Sequence, residues 1–437
     1  MATPFMVLKS RMAVHGLGFK PWIKERAAVT FTPGNDWAKI ACSRKQATGC
    51  GDHGGNLLEG LTLYVRGTQR ADLTSSMCIC LTNEARRSIE SEFGRVPHGA
   101  VRAEAGIKIA TERLLVVIMV FRIPHHSERV YYLVYDATDA SLRMVPYVPT
   151  GVVASYTAAP VPRFTGIGRE DYELVLLARK FWPQRLNREL VCVCAPMTGV
   201  WEVMVRHFPE IPDAFSADEM FSFQGKLFWA DLYQGLVCCH GNDLHTTGDD
   251  SAVKFDFISL PCGYLLEDQT ESAKKTRTIS CIGGSIQFVC LDRHRSSHHG
   301  RNEPVVEVWA LDLDHRRWRK DQEGFPCPWR EFRRQVRFMD DAEARGVEPQ
   351  YPVLLPGGAL CLVLANMRLR RRRIKGFVEE ADYIYCFDMH SKRPLWFGFV
   401  RDYSTIEPVV LPSDFFDPLP TRKRKLSSES STPSDPK

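Results

Sequence analysis

Residues 224–240 read Gln-Gly-Lys-Leu-Phe-Trp-Ala-Asp-Leu-Tyr-Gln-Gly-Leu-Val-Cys-Cys-His, an apolar run with one carboxylate, Asp231, in its middle. The run predicts two short strands joined by a tight turn, because large apolar residues flank an Asp-Leu-Tyr-Gln-Gly segment. The pattern that starts at Gly225 recurs elsewhere in the chain, and this recurrence decides the predicted fold.

A glycine followed by a strand-like run begins at Gly168, Gly225, Gly284 and Gly358, at spacings of 57, 59 and 74 residues, with a weaker copy at Gly106. Each copy is followed by a β-rich run that reaches a turn and then a Trp or Leu. These closing residues are spaced by 59, 59, 58 and 78 residues and are Leu142, Trp201, Leu260, Trp318 and Trp396. The chain therefore contains a repeat of about 59 residues with one insertion.

A unit of this length with about four short strands is typical of a propeller blade, because each small antiparallel sheet needs neighbours to cover its faces. We predict an all-β, β-propeller-like array of five to six four-stranded blades. A sixth blade could come from Leu57–Val65 with Met77–Leu81, and the run 398–411 could pair with N-terminal strands to close the ring. The insertion near 327–350 predicts a short surface helix, because Phe332, Val336 and Met339 have helical spacing.

The predicted domain organisation has three parts. Residues 1–56 form an N-terminal extension that is partly disordered, in which Lys45–Gly55 is disordered or loosely attached. Residues 57–415 form the propeller-like domain. Residues 416–437 form a disordered tail, because they are polar, basic and rich in serine.

The repeat units resemble the DUF1618 domain of unknown function, a plant family expanded in cereals. The resemblance runs from about residue 57 to 415, and its most specific element is Trp-Ala-Asp-Leu at 229–232 with Gly235 after it. Other matching segments follow in chain order and are Tyr132–Asp136, Phe257–Pro261, Arg277–Leu291, Val308–Asp312, Arg317–Asp321, Tyr351–Leu354 and Pro412–Phe415. The resemblance implies repeats like those of F-box-associated and kelch propellers, without an established activity and without catalytic or metal residues to carry over.

The net charge of +5 is concentrated in two basic clusters, so the rest of the chain carries a charge of −5. Six charges come from Arg368, Arg370, Arg371, Arg372, Arg373 and Lys375, which are predicted to lie in an exposed hairpin loop. This loop is either solvated or contacts an acidic partner or nucleic-acid phosphate. Four charges come from Arg422, Lys423, Arg424 and Lys425, which could act as a nuclear-import signal. Binding of nucleic acid is not expected outside the basic loop, because a general platform would spread its charge over a face.

Asp231 is the first candidate for catalysis, but a lone acid also needs a partner and a cleft, and the sequence indicates neither. A structural role is favoured, in which Asp231 accepts backbone N–H bonds in the turn. Cys238, Cys239 and His240 are not expected to bind one metal, because neighbours in a strand point to opposite faces.

Other metal-site candidates are weak. Cys42, Cys50 and His53 could form a zinc site in a loop, but they lack paired ligand spacing. The histidines His125, His126, His298 and His299 fall in polar turns and are predicted to be solvated. No cofactor or metal is expected. The tryptophans Trp201, Trp309, Trp318 and Trp396 are predicted to pack between blades rather than to stack on bases.

Common phosphate-loop, hydrolase and zinc-peptidase motifs are absent from the sequence. The 14 scattered cysteines indicate reduced, buried thiols. With a longest apolar run of eight residues, Leu114–Phe121, we expect no membrane span and an intracellular location in the nucleus or cytoplasm.

We predict a non-catalytic scaffold that binds an unknown protein partner, with its oligomeric state left open. Two alternatives remain: a substrate receptor of a ubiquitin ligase, which would require an N-terminal helical box, and an enzyme with a site at the propeller axis.

Overall fold

The computed structural model describes residues 5–15, 37–66, 74–94, 100–123, 128–148, 152–153, 160–165, 172–180, 188–205, 215–245, 254–266, 272–282, 284–292, 304–320, 325–335, 348–355, 357–367, 381–400 and 407–417. These residues form mostly β-strands, as the sequence predicts. The strands and helices that precede the first regular blade are β1 (Phe5–Lys9), β2 (Arg11–His15), β3 (Trp37–Lys39), β4 (Arg44–Ala47), α1 (Gly51–Glu59), β5 (Leu61–Arg66), β6 (Thr74–Ser75), β7 (Met77–Leu81) and α2 (Asn83–Glu92).

The remaining elements follow the repeat. The first two blades and a short strand between them contain β8 (Arg102–Ala110), β9 (Leu114–Arg122), β10 (Arg129–Asp136), β11 (Ser141–Pro146), β12 (Val152–Val153), β13 (Val161–Phe164), β14 (Tyr172–Lys180), β15 (Arg188–Ala195) and β16 (Val200–Val205). The third and fourth blades contain β17 (Glu219–Phe223), β18 (Lys226–Asp231), β19 (Gly235–His240), β20 (Phe255–Ser259), β21 (Arg277–Ile282), β22 (Ser285–Asp292), β23 (Val305–Asp312) and β24 (Arg317–Lys320). The last elements are β25 (Cys327–Pro328), α3 (Trp329–Arg333), β26 (Pro349–Leu354), β27 (Ala359–Met367), β28 (Ala381–Asp388), β29 (Pro394–Val400) and β30 (Pro408–Pro412).

Among the described residues, five four-stranded antiparallel units occur in chain order, which confirms the predicted β-propeller-like array. We name them blade 1 (β8–β11), blade 2 (β13–β16), blade 3 (β17–β20), blade 4 (β21–β24) and blade 5 (β26–β29). Their first strands contact one another in succession from β13 through β17, β21 and β26 to β30, which in turn contacts β8. These inner strands therefore surround a common axis.

The repeat is also visible in the turns between the third and fourth strands of blades 1, 2, 4 and 5. Each turn contains one residue with positive φ, at Ala140, Gly199, Arg316 and Lys392. Three of the four are not glycine, so the turn geometry is imposed by the flanking strands despite its cost for a residue with a Cβ atom. At this turn the sequence repeat therefore comes from the flanking strands and not from one residue type.

Of the five glycines that were predicted to precede strands, Gly168 lies outside the described residues, and the other four have two outcomes. Gly225, Gly284 and Gly358 have positive φ and lie in the turns between the first and second strands of their blades. The prediction for Gly106 is wrong, because this glycine lies inside β8, where the carbonyl oxygen of Ser10 approaches it. In blade 1 the turn is instead formed by 111–113, where the hydroxyl of Thr111 accepts the backbone N–H of Leu114 at 2.8 Å.

Strands from both ends of the chain complete the array, as predicted. The C-terminal strand β30 pairs antiparallel with β1, from Phe5 opposite Pro412 to Lys9 opposite Pro408. The predicted sixth unit is present as the pairing of β5 with β7. This unit differs from a regular blade, because β2 and β7 form a parallel pair. It is joined to blade 1 through β2 and β8 in a nine-stranded sheet.

The prediction that Lys45–Gly55 is disordered or loosely attached is wrong. Arg44–Ala47 pair with β11, and the chain continues into α1, which packs against α2. The side chain of Lys45 donates to the carbonyl oxygens of Leu58 and Glu59 at 3.1 and 3.0 Å, so a cation stabilises the C-terminal end of α1. The predicted boundary at residue 57 falls inside this helix.

The hydrophobic core is divided into clusters between neighbouring sheets. Because side chains alternate along β18, Trp229 lies in the core shared with blades 1 and 2, whereas Phe228 lies in the core shared with blade 4.

The insertion forms α3, a short helix that is not confined to the surface. Its Trp329 and Phe332 are buried against blades 4 and 5, while the predicted positions Val336 and Met339 lie outside the described residues.

Two glycine turns meet backbone to backbone where β4 joins blade 2. A Cβ atom on Gly199 would lie 2.0 Å from the carbonyl oxygen of Thr48, and one on Gly49 would lie 2.2 Å from that of Gly199. We expect Gly199→Ala to lower the free energy of unfolding by about 2 kcal/mol or more, measured by urea denaturation. Gly51→Ala is the control, because Gly51 also has positive φ but no atom within 4 Å of its Cβ position. Equal losses for both variants would contradict a role for the close contact.

Candidate functional site

The inner strands line a cavity near the axis of the array that is partly open to solvent. It has a volume of about 120 Å³ and is lined by residues of blades 1, 2, 3 and 4. Its apolar lining comes from Ile109, Pro162, Phe164, Met220 and Phe221. The polar lining residues are Thr111, Ser222, Ser280 and Cys281. Among the described residues that line the cavity, none carries a carboxylate or an amine.

Charged groups meet where the first strand of blade 3 begins, beside the segments that precede β21 and β30. Lys274 donates from Nζ to Glu219 and to Glu407, each at 3.2 Å. Burial alone would lower the pKa of Lys274, but Glu219, Glu407 and Asp218 outweigh it and raise the pKa above its usual value. We name Glu219, Lys274 and Glu407 the axial ion cluster. It ties blade 3 to the segment that leads into β30.

Lys108 on β8 lies near the axial ion cluster. Burial lowers its pKa, and the positive charge of Lys274 lowers it further. The backbone is also tied together here, because Ser10 donates to the carbonyl oxygen of Glu407 and accepts from the N–H of Ile107. The arrangement is that of a closure contact between the two ends of the chain.

Asp231 has the structural role that the sequence favours. It is buried, and its carboxylate accepts the backbone N–H groups of Ser216 at 2.8 Å and Tyr233 at 2.7 Å. Burial raises its pKa, while these hydrogen bonds act in the opposite direction. A second carboxylate, Asp218, accepts the N–H of Leu232 at 3.0 Å, so two acids hold the same turn.

Asp218 should make stability depend on pH, because burial raises its pKa to about 6. Between pH 4 and 6 the folded state keeps a proton that the unfolded state has lost, so the free energy of unfolding falls as the pH rises. Asp218→Asn keeps an oxygen that can accept from Leu232 and removes this titration. We expect the variant to lose less stability than the wild type over this range in urea denaturation at stepped pH, with exposed Asp314→Asn as control. Parallel curves for the wild type and Asp218→Asn would contradict the assignment.

Cys238, Cys239 and His240 do not converge, as predicted. Cys238 faces the core of blades 3 and 4, Cys239 faces the opposite core, and His240 is exposed. Burial raises the pKa of Cys238 to about 11 and that of Cys239 further. These thiols are therefore protonated near neutral pH and are poor nucleophiles.

Different hydrogen-bond partners engage Cys42, Cys50 and His53. Cys42 donates to the carbonyl oxygen of Ile40, whereas Cys50 donates to those of Thr48 and Met144. Within the described part of the chain, no group of three or more His, Cys, Asp or Glu side chains is arranged to hold a metal ion.

The structure adds a serine–histidine contact that sequence reasoning missed, because it lies between the unpredicted helices α1 and α2. The Nδ1 atom of His53 lies 3.2 Å from Oγ of Ser91, and this hydroxyl donates to the carbonyl oxygen of Ser88 at 2.7 Å. The same Nδ1 atom lies 3.4 Å from Oγ of Ser88, so His53 contacts two hydroxyls of α2. The pair therefore joins two helices and does not form an activated nucleophile.

The tryptophans pack between blades, as predicted. Trp201 donates from Nε1 to the carbonyl oxygen of Pro146 at 2.7 Å, and Trp318 donates to that of Ser259 at 2.8 Å. Each bond links the outer strand of one blade to the end of the outer strand of the preceding blade. Trp309 packs in the core of blades 3 and 4, and Trp396 in the core beside β1.

Several predicted sites lie outside the described residues. These are the basic cluster Arg368, Arg370, Arg371, Arg372, Arg373 and Lys375, the basic cluster Arg422, Lys423, Arg424 and Lys425, and the histidines His125, His126, His298 and His299. The first basic cluster does fall between β27 and β28, which pair as a hairpin, as predicted. The described helices lack the length and apolar character that crossing a bilayer requires.

Three comparisons place the chain among known proteins. Residues 229–356 match the family model described as Protein of unknown function (DUF1618). The chain is similar to the β-propeller domain of the Trilobed protease from Pyrococcus furiosus, at 7% identity and a TM-score of 0.31 over 68% of this chain and 70% of that one. It is also similar to the WD40 domain of SCAP from fission yeast, at 7% identity and a TM-score of 0.29 over 78% and 70%. Similarity at this level carries no functional information. No curated protein matches the chain.

Proposed function

We propose that the chain, whose residues 229–356 match the model of the DUF1618 family of unknown function, is a non-catalytic scaffold that binds another protein through loops on one face of its array. The observation that carries this proposal is the small volume and the mostly apolar lining of the axial cavity. The axial cavity of about 120 Å³ is mostly apolar, whereas sites for small-molecule substrates usually have about 300–1,000 Å³. A binding role suits such an axis better than turnover of a substrate.

The state of the ionisable groups supports the same proposal. Lys274 is neutralised by two carboxylates, and Asp231 and Asp218 are engaged by backbone N–H groups. A general acid or base must be able to form a hydrogen bond with the substrate. The hydrogen bonds of these groups are made to other parts of the protein. Plant origin and a relation to kelch repeats remain predictions, as do a nuclear or cytoplasmic location and import through Arg422–Lys425.

The test is affinity purification of the full chain after cross-linking in its native cells, followed by mass spectrometry. We expect one or a few proteins whose cross-links fall on loops of a single face. Gly199→Ala, which disturbs packing at the β4–blade 2 junction, shows how much recovery depends on fold integrity alone. Recovery of no protein above background, together with substrate turnover by the purified chain, would overturn the proposal.

The two alternatives make different predictions. A ubiquitin-ligase receptor would co-purify with a ligase adaptor through an N-terminal helical box. An enzyme with an axial site would lose turnover when the cavity is filled by Ser280→Phe.

A further inference from the structure

Two cysteines face each other across the central strands of blade 5. The register of β27 and β28 places Cys361 directly opposite Cys386, and the two thiols share a hydrogen bond. Directly opposite residues in an antiparallel pair point to the same face of the sheet, with their Cα atoms about 4.5 or 5.5 Å apart. Both separations lie within the range of about 4.4–6.8 Å that a disulfide bond spans. A bridge between these sulfurs therefore needs little movement of the backbone.

This arrangement distinguishes the pair from the other cysteines of the sheets. Cys192, for example, lies on the central strand β15 of blade 2, opposite Leu176 and Val203. Across the strand ladders that the structure describes, every other cysteine that takes part has a residue of another type opposite it. Opposed thiols are thus a feature of blade 5 within these ladders.

The strands that close the array cover the two thiols. In the sheet of β30, β1 and β6, the strand β30 contacts β26 and the strand β6 contacts β29. Since β1 lies between β30 and β6, it faces the central strands β27 and β28. Val7 of β1 belongs to the same hydrophobic cluster as Cys361 and Cys386, and all three residues are fully buried. An oxidant in the solvent therefore reaches the sulfurs only when β1 moves away from blade 5.

The reactivity of the thiols depends on the same cover. Burial raises the pKa of Cys361 above its usual value, and the neighbouring thiol of Cys386 raises it further. The thiol is therefore protonated while β1 is in place, and a protonated thiol is a poor nucleophile. Local opening of the closing strands brings water to the sulfur, removes the desolvation and lets the thiolate form.

We propose that Cys361 and Cys386 are a redox modification site, a thiol pair that a peroxide converts to a disulfide bond when β1 opens from blade 5. One thiol reacts with hydrogen peroxide, takes up one oxygen as a sulfenic acid and releases one water molecule. The second thiol then attacks this sulfur, the S–S bond forms, and the oxygen leaves as a second water molecule. The two sulfurs lose two electrons in total, which reduce one peroxide to two water molecules.

The first measurement identifies the bridge. The reduced, full-length chain is exposed to hydrogen peroxide under native conditions, its remaining thiols are blocked with iodoacetamide, and its proteolytic peptides are analysed by mass spectrometry. We expect a cross-linked peptide that joins Cys361 to Cys386 and that disappears on treatment with dithiothreitol. The urea concentration at the unfolding midpoint should rise with it, because the bridge constrains the unfolded chain.

The control variants separate this bridge from general oxidation. Cys386→Ala, or Cys361→Ala as a second variant, should lose both the cross-linked peptide and the rise in the midpoint. Cys192→Ala should keep both, because it removes a buried thiol from a central strand where no cysteine lies opposite. Absence of the peptide from the oxidised wild type, or a bridge to another cysteine in its place, would overturn the proposal.

The second measurement follows the rate of bridge formation and tests the control by β1. Val7→Ala removes two methyl groups from the cover of the thiols. We expect the bridge to form about tenfold faster in this variant, because oxidation follows the population of the open form. Val14→Ala is the matched control, since Val14 is buried on β2 in a different hydrophobic cluster. Equal rates in the two variants would overturn the proposal that opening of β1 controls the modification.

Discussion

Replacing Trp229 with alanine should lower the free energy of unfolding by about 3–5 kcal/mol, because it removes a fully buried indole ring from the core of blades 1, 2 and 3. The ring contacts Phe255 at a centroid distance of 6.4 Å, so the loss includes an aromatic contact as well as buried area. The measurement is urea denaturation followed by far-ultraviolet circular dichroism at one pH.

Trp229→Phe is the matched variant. Among the residues that the structure describes, none accepts a hydrogen bond from the indole N–H of Trp229. A phenyl ring keeps most of the apolar volume and removes this unsatisfied donor, so we expect about half the cost of the alanine variant or less. If Trp229→Ala left the melting temperature intact while abolishing partner binding, the assignment of Trp229 to the core would be wrong.

Replacing Arg277 with methionine should cost about 3–5 kcal/mol, the second large effect. Arg277 is 6% exposed, and its Nη1 donates to the carbonyl oxygens of Leu232 and Tyr264 at 2.9 and 2.6 Å. Hydrogen bonds from a charged donor contribute about 1.5–3 kcal/mol each, and methionine leaves both carbonyl oxygens without this donor. The bonds tie the first strand of blade 4 to a turn of blade 3 at Leu232 and to the connection between the two blades at Tyr264.

Arg317→Met provides the control for this prediction, since Arg317 is an exposed arginine of the same blade. We expect its effect to stay within about 0.5 kcal/mol, as for most surface substitutions. Calorimetry can follow both variants and compare their unfolding enthalpies. A cost for Arg277→Met as small as that for Arg317→Met would show that the two carbonyl oxygens find other donors.

Some contacts of the candidate site were predictable and others were not. The turn from Asp231 to Gly235 follows from local sequence, because a short acidic side chain and a glycine both favour a tight turn. The opposite orientations of Cys238 and Cys239 follow from the two-residue period of a strand. The axial ion cluster had no comparable signal, because its three members come from segments as far apart as Lys274 and Glu407, which are separated by 133 residues.

The helices α1 and α2 show why the N-terminal region was misjudged. Gly51, Gly54 and Gly55 lower the intrinsic helix propensity of α1, and its sequence has no sustained helical period. The helix nevertheless forms, because α2 packs against it and Lys45 binds its last carbonyl oxygens. Tertiary contacts override weak local propensity here, and a single sequence does not report them.

By itself, the sequence determined the strand repeat, the inward and outward alternation within each blade and the turns at Gly225 and Asp231, because these depend on residues close together in the chain. Tertiary structure alone decided which strands close the array, which side chains meet at the axis and how large the cavity between them is. Those features depend on contacts between residues of different blades. The spacing of residues along the sequence does not encode the geometry of such contacts.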